Sequence, residues 1–458
     1  MRAYLPNDDD DIVAEMLGEI GVDSLDALFL DVPQNIRIEG NLDLPSPVTE
    51  DEIKGVVEVK LRKNLDLTAF LGGGVWSQNV PAVVSHLLSR GEFLTSYTPY
   101  QPEISQGTIQ ALFEYQSMVC QLTGMDVANS SMYDWGSAAA EAVLMTSRVT
   151  HRGKALIASN IGPHRRRVIE TYARGAGINV TAVEADWEAG TLDLEKLKED
   201  IDDKTSSLYV EIPSYIGSIE PSPRDIAELL HDRNALLIVG VDPLSLGILK
   251  PPGQYGADIV VGEGQPLGSS PFLGGPLLGI FATRREREIL RQIPGRIMGM
   301  TKTLDRSQRA FTMILQTREQ HIRRERATSN ICTNETLSAT AAAIYLSLLG
   351  EEGFRRLSED LSYRAAYLSK KLRKDAGLPS PPYSESFYRD FLVSFEGTKK
   401  AGQLVRQGID RGVLLGTETT HAFPHYGESV LTGVSDVHTK EDLDRYVEVV
   451  KDLLGGDP

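Results

Sequence analysis

The sequence predicts an α/β protein: a large domain on a mixed, mostly parallel sheet, preceded by a helical segment and followed by a small α+β domain. Three observations carry this expectation. Between about Asn129 and Thr283, short apolar runs rich in β-branched residues alternate with capped stretches of helical period. Runs that are apolar throughout suit strands covered on both faces, as in doubly wound sheets with crossover helices. Before about residue 66 the periodicity is helical only, and after Thr301 long helical stretches surround isolated strand signals. The expected divisions are 1–66, 67–330 and 331–458.

The elements follow in order. The aspartates Asp8–Asp11 precede Ile12, Val13, Met16, Leu17 and Ile20. Acids there favour the positive end of a helix, so the run reads as a solvated first turn rather than a metal site. Thr49 and Glu52 form a capping box ahead of Ile53, Val56 and Val57. Strands are expected at Ala155–Ala158, Val180–Glu184, Ser207–Ile212, Leu236–Val241, Asp258–Val261 and Leu277–Ala282. Between them, Ser222-Pro223-Arg224-Asp225 starts the helix carrying Ile226–Leu230. A basic, polar helix is expected over Gln316–Arg326, then two long helices over Asn334–Lys374, punctuated by Gly350 and Gly353. A strand at Phe391–Phe395, a helix near Gly402–Arg411 and a strand at Ser429–Gly433 follow. The last helix, capped by Thr439 and Asp442, carries Leu443, Tyr446, Val447 and Val450 on one stripe.

Composition narrows the function. Lys+Arg of 47 against Asp+Glu of 64 gives a net charge of −17, which argues against nucleic acid as a partner. No apolar run is long enough to span a membrane, and the opening MRAYLPNDDDD lacks the apolar stretch of a signal peptide. Cys120 and Cys332 are too far apart for a metal-ligand motif and read as reduced thiols, Cys120 in a core. A cytoplasmic location is therefore expected.

Several motifs admit two readings. In NSSMYDWGSAAAEAVLM, Ser130, Ser131 and Ser137 with the helix start could cradle a phosphate, or Asp134 and the serines could simply cap the helix. Trp135, a bulky ring inside that turn, weighs against a bound group. Asp242, after the strand Leu236–Val241, could face a pyridinium nitrogen or cap the turn that follows. GGGVW (Gly72–Trp76) lacks dinucleotide-binding spacing. Pro424 between His421 and His425 breaks the helix that a metal pair needs. Arg318, His321, Arg323, Arg324 and Arg326, diluted by Glu319 and Glu325, suit a solvated helix face or an interface. The loop FLTSYTPYQPEISQG (Phe93–Gly107) packs two tyrosines, two prolines, two glutamines and a glutamate into a non-periodic stretch. Prolines stiffen such a loop and pre-organise its side chains.

One absence is informative. The order of strands and the acid at Asp242 resemble the middle of a pyridoxal-phosphate (PLP) enzyme of the aminotransferase type. In such enzymes the loop after the next strand supplies the lysine that holds the cofactor as a Schiff base. Here that loop reads GEGQPLGSSPFLGG, and no lysine occurs between Pro251 and Thr301. Gln265, Pro266 and Leu267 offer no amine in its place.

The Phe93–Gly107 loop, continuing through TIQALFEYQSMVCQLTGMDVANSSMYD, resembles the P-protein (glycine decarboxylase) family of the glycine cleavage system, in particular the N-terminal (alpha) subunit of its two-subunit form. AYLPNDDDDIVAEMLGEIGVDSLDALF, VVGEGQPLG, FLGGPLLGIFA, PGRIMGMTK and LQTREQHIRRERATSNICTNETL share the likeness. It is dense from Ala3 to about Gly350 and looser beyond. Val75-Trp76-Ser77 and Trp135 depart from the family pattern, and the second reinforces the expectation that no cofactor sits here.

The resemblance implies a PLP-dependent transferase fold of aminotransferase type I and a chain that binds no PLP covalently. It also implies a catalytic (beta) subunit carrying PLP, assembly as a heterotetramer, and glycine decarboxylation with aminomethyl transfer to the lipoyl arm of the H-protein. Ser130, Ser131, Asp134, Ser137 and Asp242 would then mark a vestigial pocket. Tyr97, Tyr100, Gln101, Glu103 and Gln106 would border the partner's active site. The competing readings are an independent fold-type-I PLP enzyme, disfavoured by the missing lysine, and a non-catalytic scaffold derived from that fold.

Overall fold

Among the described residues the largest sheet has seven strands, and their sequences explain their places. In chain order they are β1 (Val127–Ala128), β2 (Lys154–Ala158), β3 (Asn179–Val183), β4 (Thr205–Glu211), β5 (Leu236–Val241), β6 (Ile259–Glu263) and β7 (Gly279–Thr283). The spatial order is β1-β7-β6-β5-β4-β2-β3. Pairing from β3 through β6 is parallel, and β7 runs antiparallel to both neighbours. Every residue of β4, β6 and β7 is buried, the polar Ser206, Ser207 and Glu211 of β4 among them. The computed structural model describes residues 9–38, 40, 42–272, 275–328, 331–384 and 386–455. Asp8 of the acidic run, and Leu273, Gly274, Ser329 and Asn330 of the family-like motifs, lie outside them.

The chain divides into two compact units at Leu65/Asp66. In the first, α1 (Asp10–Ile20) is capped by the Asp9 side chain, and α2 (Glu50–Leu61) opens with the Thr49–Glu52 capping box. The second unit holds the sheet and its helices: α3 (Gln106–Thr123), α4 (Trp135–Thr150), α5 (Pro163–Gly175) and α6 (Pro223–His231). Pro223 sets the start of α6, but Ser222 does not cap it; its N–H donates to Glu220 instead. A second core gathers Leu368, Phe391, Val393, Leu404, Val430 and Tyr446 of the C-terminal region. Its sheet has the order β10 (Asp390–Ser394), β12 (Ser429–Gly433), β11 (Thr417–Glu418). Phe70, just after the first unit, packs into this same core.

The stretch between the sheet and that core differs from expectation. A hairpin of β8 (Ile297–Lys302) and β9 (Arg309–Ile314) stands where no strand was foreseen. Its inner end is buried at Ile297, Met298 and Met313, while Lys302 and Arg309 at its far end are exposed. No continuous apolar run therefore announces it. The basic stretch Gln316–Arg326 is not one helix but three short turns, with Arg324 at φ +53. It has no apolar stripe to dock. Arg318, far from being solvated, is buried and donates to the carbonyls of Ile293, Gly295 and Leu315. Next, α7 (Thr336–Lys371) breaks at Gly350, which takes φ +62, while Gly353 stays helical. The chain ends in α8 (Ala401–Ile409) and α9 (Lys440–Gly455), the latter opened by Thr439 and Asp442 as the sequence suggests. Among the described residues, no helix is long and apolar enough to cross a membrane.

Candidate functional site

Open α/β sheets bind ligands beyond the carboxyl ends of their parallel strands. Three neighbouring strands here deliver an acid to that edge: Glu211 ends β4, Asp242 follows β5 and Glu263 ends β6. Each is engaged by the chain itself. Glu211 accepts both Nε and Nη2 of Arg165 at 2.6 Å, and the Tyr209 hydroxyl at 2.9 Å. Asp242 accepts Nε of Arg389 at 2.6 Å and caps the following turn at Leu244 N. Glu263 accepts the backbone N–H groups of Trp135, Gln265 and Leu278. Burial nonetheless pushes its carboxyl up to about 7.

Two tryptophans close the space above these acids. The Arg165 guanidinium lies 3.9 Å from the Trp135 ring centroid, and that of Arg389 lies 3.8 Å from the Trp76 ring. Trp76 Nε1 donates to Asp390 at 2.9 Å, and Gly73 N does so at 2.7 Å. Burial pushes Asp390 up to about 6. Gly73, at φ +72, lets the backbone pass so close that an added Cβ would meet Tyr215 at 2.5 Å. The cavity left among Trp76, Trp135, Arg165, Asp242, Arg389 and Asp390 is about 20 Å³, the room of a water molecule. A neighbouring cleft of about 310 Å³ has Gly74, Trp135, His164 and Glu263 in its wall, and no lysine lines it.

The residues of the phosphate-cradle reading are occupied as well. Asp134 and Ser137 cap α4 reciprocally: Ser137 N donates to Asp134 at 2.6 Å and Asp134 N donates to Ser137 Oγ at 3.1 Å. Asn334 Nδ2 donates to Ser130 Oγ and Ser131 Oγ at 3.1 and 3.0 Å, and Glu335 N adds a bond to Ser131. With Asp242 held by Arg389, Asp134 and Ser137 spent on capping, Ser130 and Ser131 bound by Asn334, and no lysine at hand, the residues present do not fit PLP. Sequence reasoning singled out Asp242 and Trp135 but missed Arg165, Glu211, Arg389 and Asp390. An acid ending an apolar strand is the shared signal, and Glu211 carried it as plainly as Asp242.

The Phe93–Gly107 loop is built differently. It leaves a helical turn at Gly91–Leu94 and runs into α3. Gln106 is turned inward: its Oε1 accepts Phe311 N at 2.9 Å and its Nε2 donates to Phe311 O at 2.8 Å. Tyr97 shares a hydroxyl–hydroxyl bond of 2.9 Å with Thr333, and Tyr100 accepts from Arg296 Nη2 at 3.2 Å. Beyond those anchors the loop faces outward: Tyr97 is 71% exposed, Tyr100 49% and Ile104 81%, and Gln101 and Glu103 are exposed. Arg296 also donates to Asn334, so Tyr100, Arg296, Asn334, Ser130 and Ser131 form one network. Arg296 and Asn334 lie in PGRIMGMTK and NETL, motifs that carry the family likeness but were not singled out as sites.

Comparison with known proteins places the chain in a family. The family model described as "Glycine cleavage system P-protein" matches residues 2–450. A Staphylothermus marinus protein named probable glycine dehydrogenase (decarboxylating) subunit 1 is 48% identical over 465 residues, covering 98% of each chain. The crystal structure of glycine decarboxylase (P-protein) of the glycine cleavage system, in inhibitor-bound form, superposes with a TM-score of 0.87 at 37% identity, over 98% of this chain and 100% of that one. An alanine–glyoxylate aminotransferase from Nostoc shares the fold alone, at 17% identity and TM-score 0.59 over 92% of this chain and 98% of that one. The fold is thus that of PLP-dependent fold-type-I enzymes. With nearly the full length matched at such identity, the chain belongs to the glycine cleavage system P-protein family.

Proposed function

We propose that this chain is the cofactor-less subunit of a two-chain glycine dehydrogenase (decarboxylating). The second, lysine-bearing subunit holds PLP, and the pair assembles as a heterotetramer in the cytoplasm. The enzyme releases CO2 from glycine and passes the aminomethyl group to the lipoyl arm of the H-protein. One observation carries the reading: the acids at the strand ends, where this fold would serve a cofactor, are closed off by Arg165, Arg389 and backbone N–H groups of the same chain. The relatives named as subunit 1 support a second subunit.

In this reading the chain's part is to complete the other subunit's site. Tyr97, Tyr100, Gln101 and Glu103 offer hydroxyl, amide and carboxylate groups that orient glycine and exclude water at the joint. Gln106 holds the loop to the hairpin. Ser130 and Ser131 serve the same support through Asn334. The test reconstitutes each chain alone and both together, with PLP, glycine and lipoylated H-protein, and maps PLP by borohydride reduction and mass spectrometry. Expected are activity only with both chains and a phosphopyridoxyl-lysine on the second chain. Stoichiometric labelling of one lysine in this chain, or full activity of the second chain alone, would overturn the proposal.

A further inference from the structure

We infer that Arg296 is a positioning residue that fixes the Tyr100 hydroxyl as an outward hydrogen-bond donor on the face offered to the second subunit, an inference that rests on the loop reading above. The chemistry of the two groups sets the direction. A guanidinium has only donors and no acceptor. In the 3.2 Å contact between Arg296 Nη2 and Tyr100 Oη, the tyrosine oxygen therefore accepts, and its own proton points elsewhere. Among the described residues none accepts that proton, and Tyr100 is 49% exposed. Tyr97 differs, because either partner can donate in its bond to Thr333.

Arg296 is held so that it cannot turn away. Its side chain is 3% exposed. Nη1 donates to Asn334 Oδ1 at 3.2 Å, and Asn334 is fixed in turn by Ser130 and Ser131. The Arg296 carbonyl accepts Ser130 N at 2.8 Å. The guanidinium carbon lies 5.4 Å from the Tyr100 ring centroid, so it steadies the ring as well as the hydroxyl. Glu319 balances the charge from 3.8 Å, beyond hydrogen-bond reach, which leaves the directional bonds to Tyr100 and Asn334. His321 stands edge-on to Tyr100 at 6.0 Å and 3.8 Å from Glu319.

The test uses the assembled two-chain enzyme with Tyr100→Phe, Arg296→Gln, Arg296→Lys and the double variant Tyr100→Phe/Arg296→Gln. Kcat and KM for glycine are measured with thermal midpoint and assembly state. Loss of one hydrogen bond involving a charged group corresponds to about tenfold or more in kcat, expected for Tyr100→Phe and for Arg296→Gln. Glutamine carries an acceptor, so it lets the Tyr100 proton turn inward. The double variant should be no worse than the poorer single one, because both changes remove the same outward donor. Arg296→Lys, a donor without an acceptor, should recover part of the loss, and it carries the test if the glutamine variant does not assemble. A double variant that loses the product of the two single effects would overturn the role of Arg296 and leave the loop reading standing. Unchanged kcat in Tyr100→Phe would overturn the loop reading at this residue, and the inference with it. A lysine variant no better than glutamine, with losses that follow the thermal midpoint, would make Arg296 merely structural.

Discussion

The strand-end pocket and the Tyr97–Gln106 loop are both rich in polar groups, but they spend them in opposite ways. At the strand ends Arg165 meets Glu211, Arg389 meets Asp242, and tryptophan rings cover both guanidinium groups. At the loop the anchors are internal, whereas the phenol rings, Gln101 and Glu103 remain in solvent. A polar group answered inside the fold stabilises it or avoids a penalty; one held rigid and left outward is available to something else. In the proposed reading, a fold that elsewhere serves a cofactor has here turned that region into structure.

The largest effect should come from breaking the pocket's own pairing. Arg165 and Glu211 have side-chain exposures of 1% and 0%, so Glu211→Gln strands a buried cation. Removing one partner of such a pair costs about 3–5 kcal/mol. Urea unfolding of the assembled enzyme should show this loss, with the rate per intact enzyme nearly unchanged. A small stability loss with a large rate loss would mean that the pocket takes part in the reaction, and the contrast between the two regions would collapse.

A second measurement sharpens the pocket side through pH. Burial, opposed by Arg389 and the bonds from Gly73 and Trp76, raises Asp390 from 3.8 to about 6. The folded chain therefore binds this proton more tightly than the unfolded chain does. The contribution is fully present below about pH 4 and lost as pH rises through about 6. Relative to Asp390→Asn, the natural chain should lose about 2–3 kcal/mol of stability between those limits, since each pKa unit is worth about 1.4 kcal/mol. Parallel stability–pH curves for the two would show that Asp390 is not the titrating group.

The two regions also differ in how far the sequence exposes them. The strands were legible because burial on both faces demands continuous apolar runs, and β5 falls on the residues expected. The missing lysine was legible because no other side chain does its chemistry. The hairpin was not, because its far end is exposed and needs no apolar pattern. The basic stretch after it looked helical from its composition, yet Arg318 is bound by carbonyls twenty-odd residues away. Arg165, Glu211 and Arg389 escaped for a related reason. Their meaning lies in pairings across 46 and 147 residues of chain. Periodicity reports which face a residue occupies and says nothing about which distant partner it finds there.

The smallest expected change in stability is the finest test of the contrast, because it divides the loop itself. Gln101 and Gln106 are the same side chain five positions apart, but Gln106 is partly buried and joined to Phe311 by two hydrogen bonds, and Gln101 is exposed. Gln106→Ala leaves the Phe311 N–H and C=O without their partner and should cost about 1–2 kcal/mol. Gln101→Ala removes no internal bond and should stay within about 0.5 kcal/mol. Their effects on glycine decarboxylation should not follow that order. Gln101 should change the rate or KM with the thermal midpoint unmoved, whereas any loss from Gln106 should track its stability and recover at lower temperature. If Gln101→Ala leaves both stability and kinetics as they were, its exposed amide has no task at the joint between subunits. The functional part of the loop then narrows to the two tyrosines and Glu103.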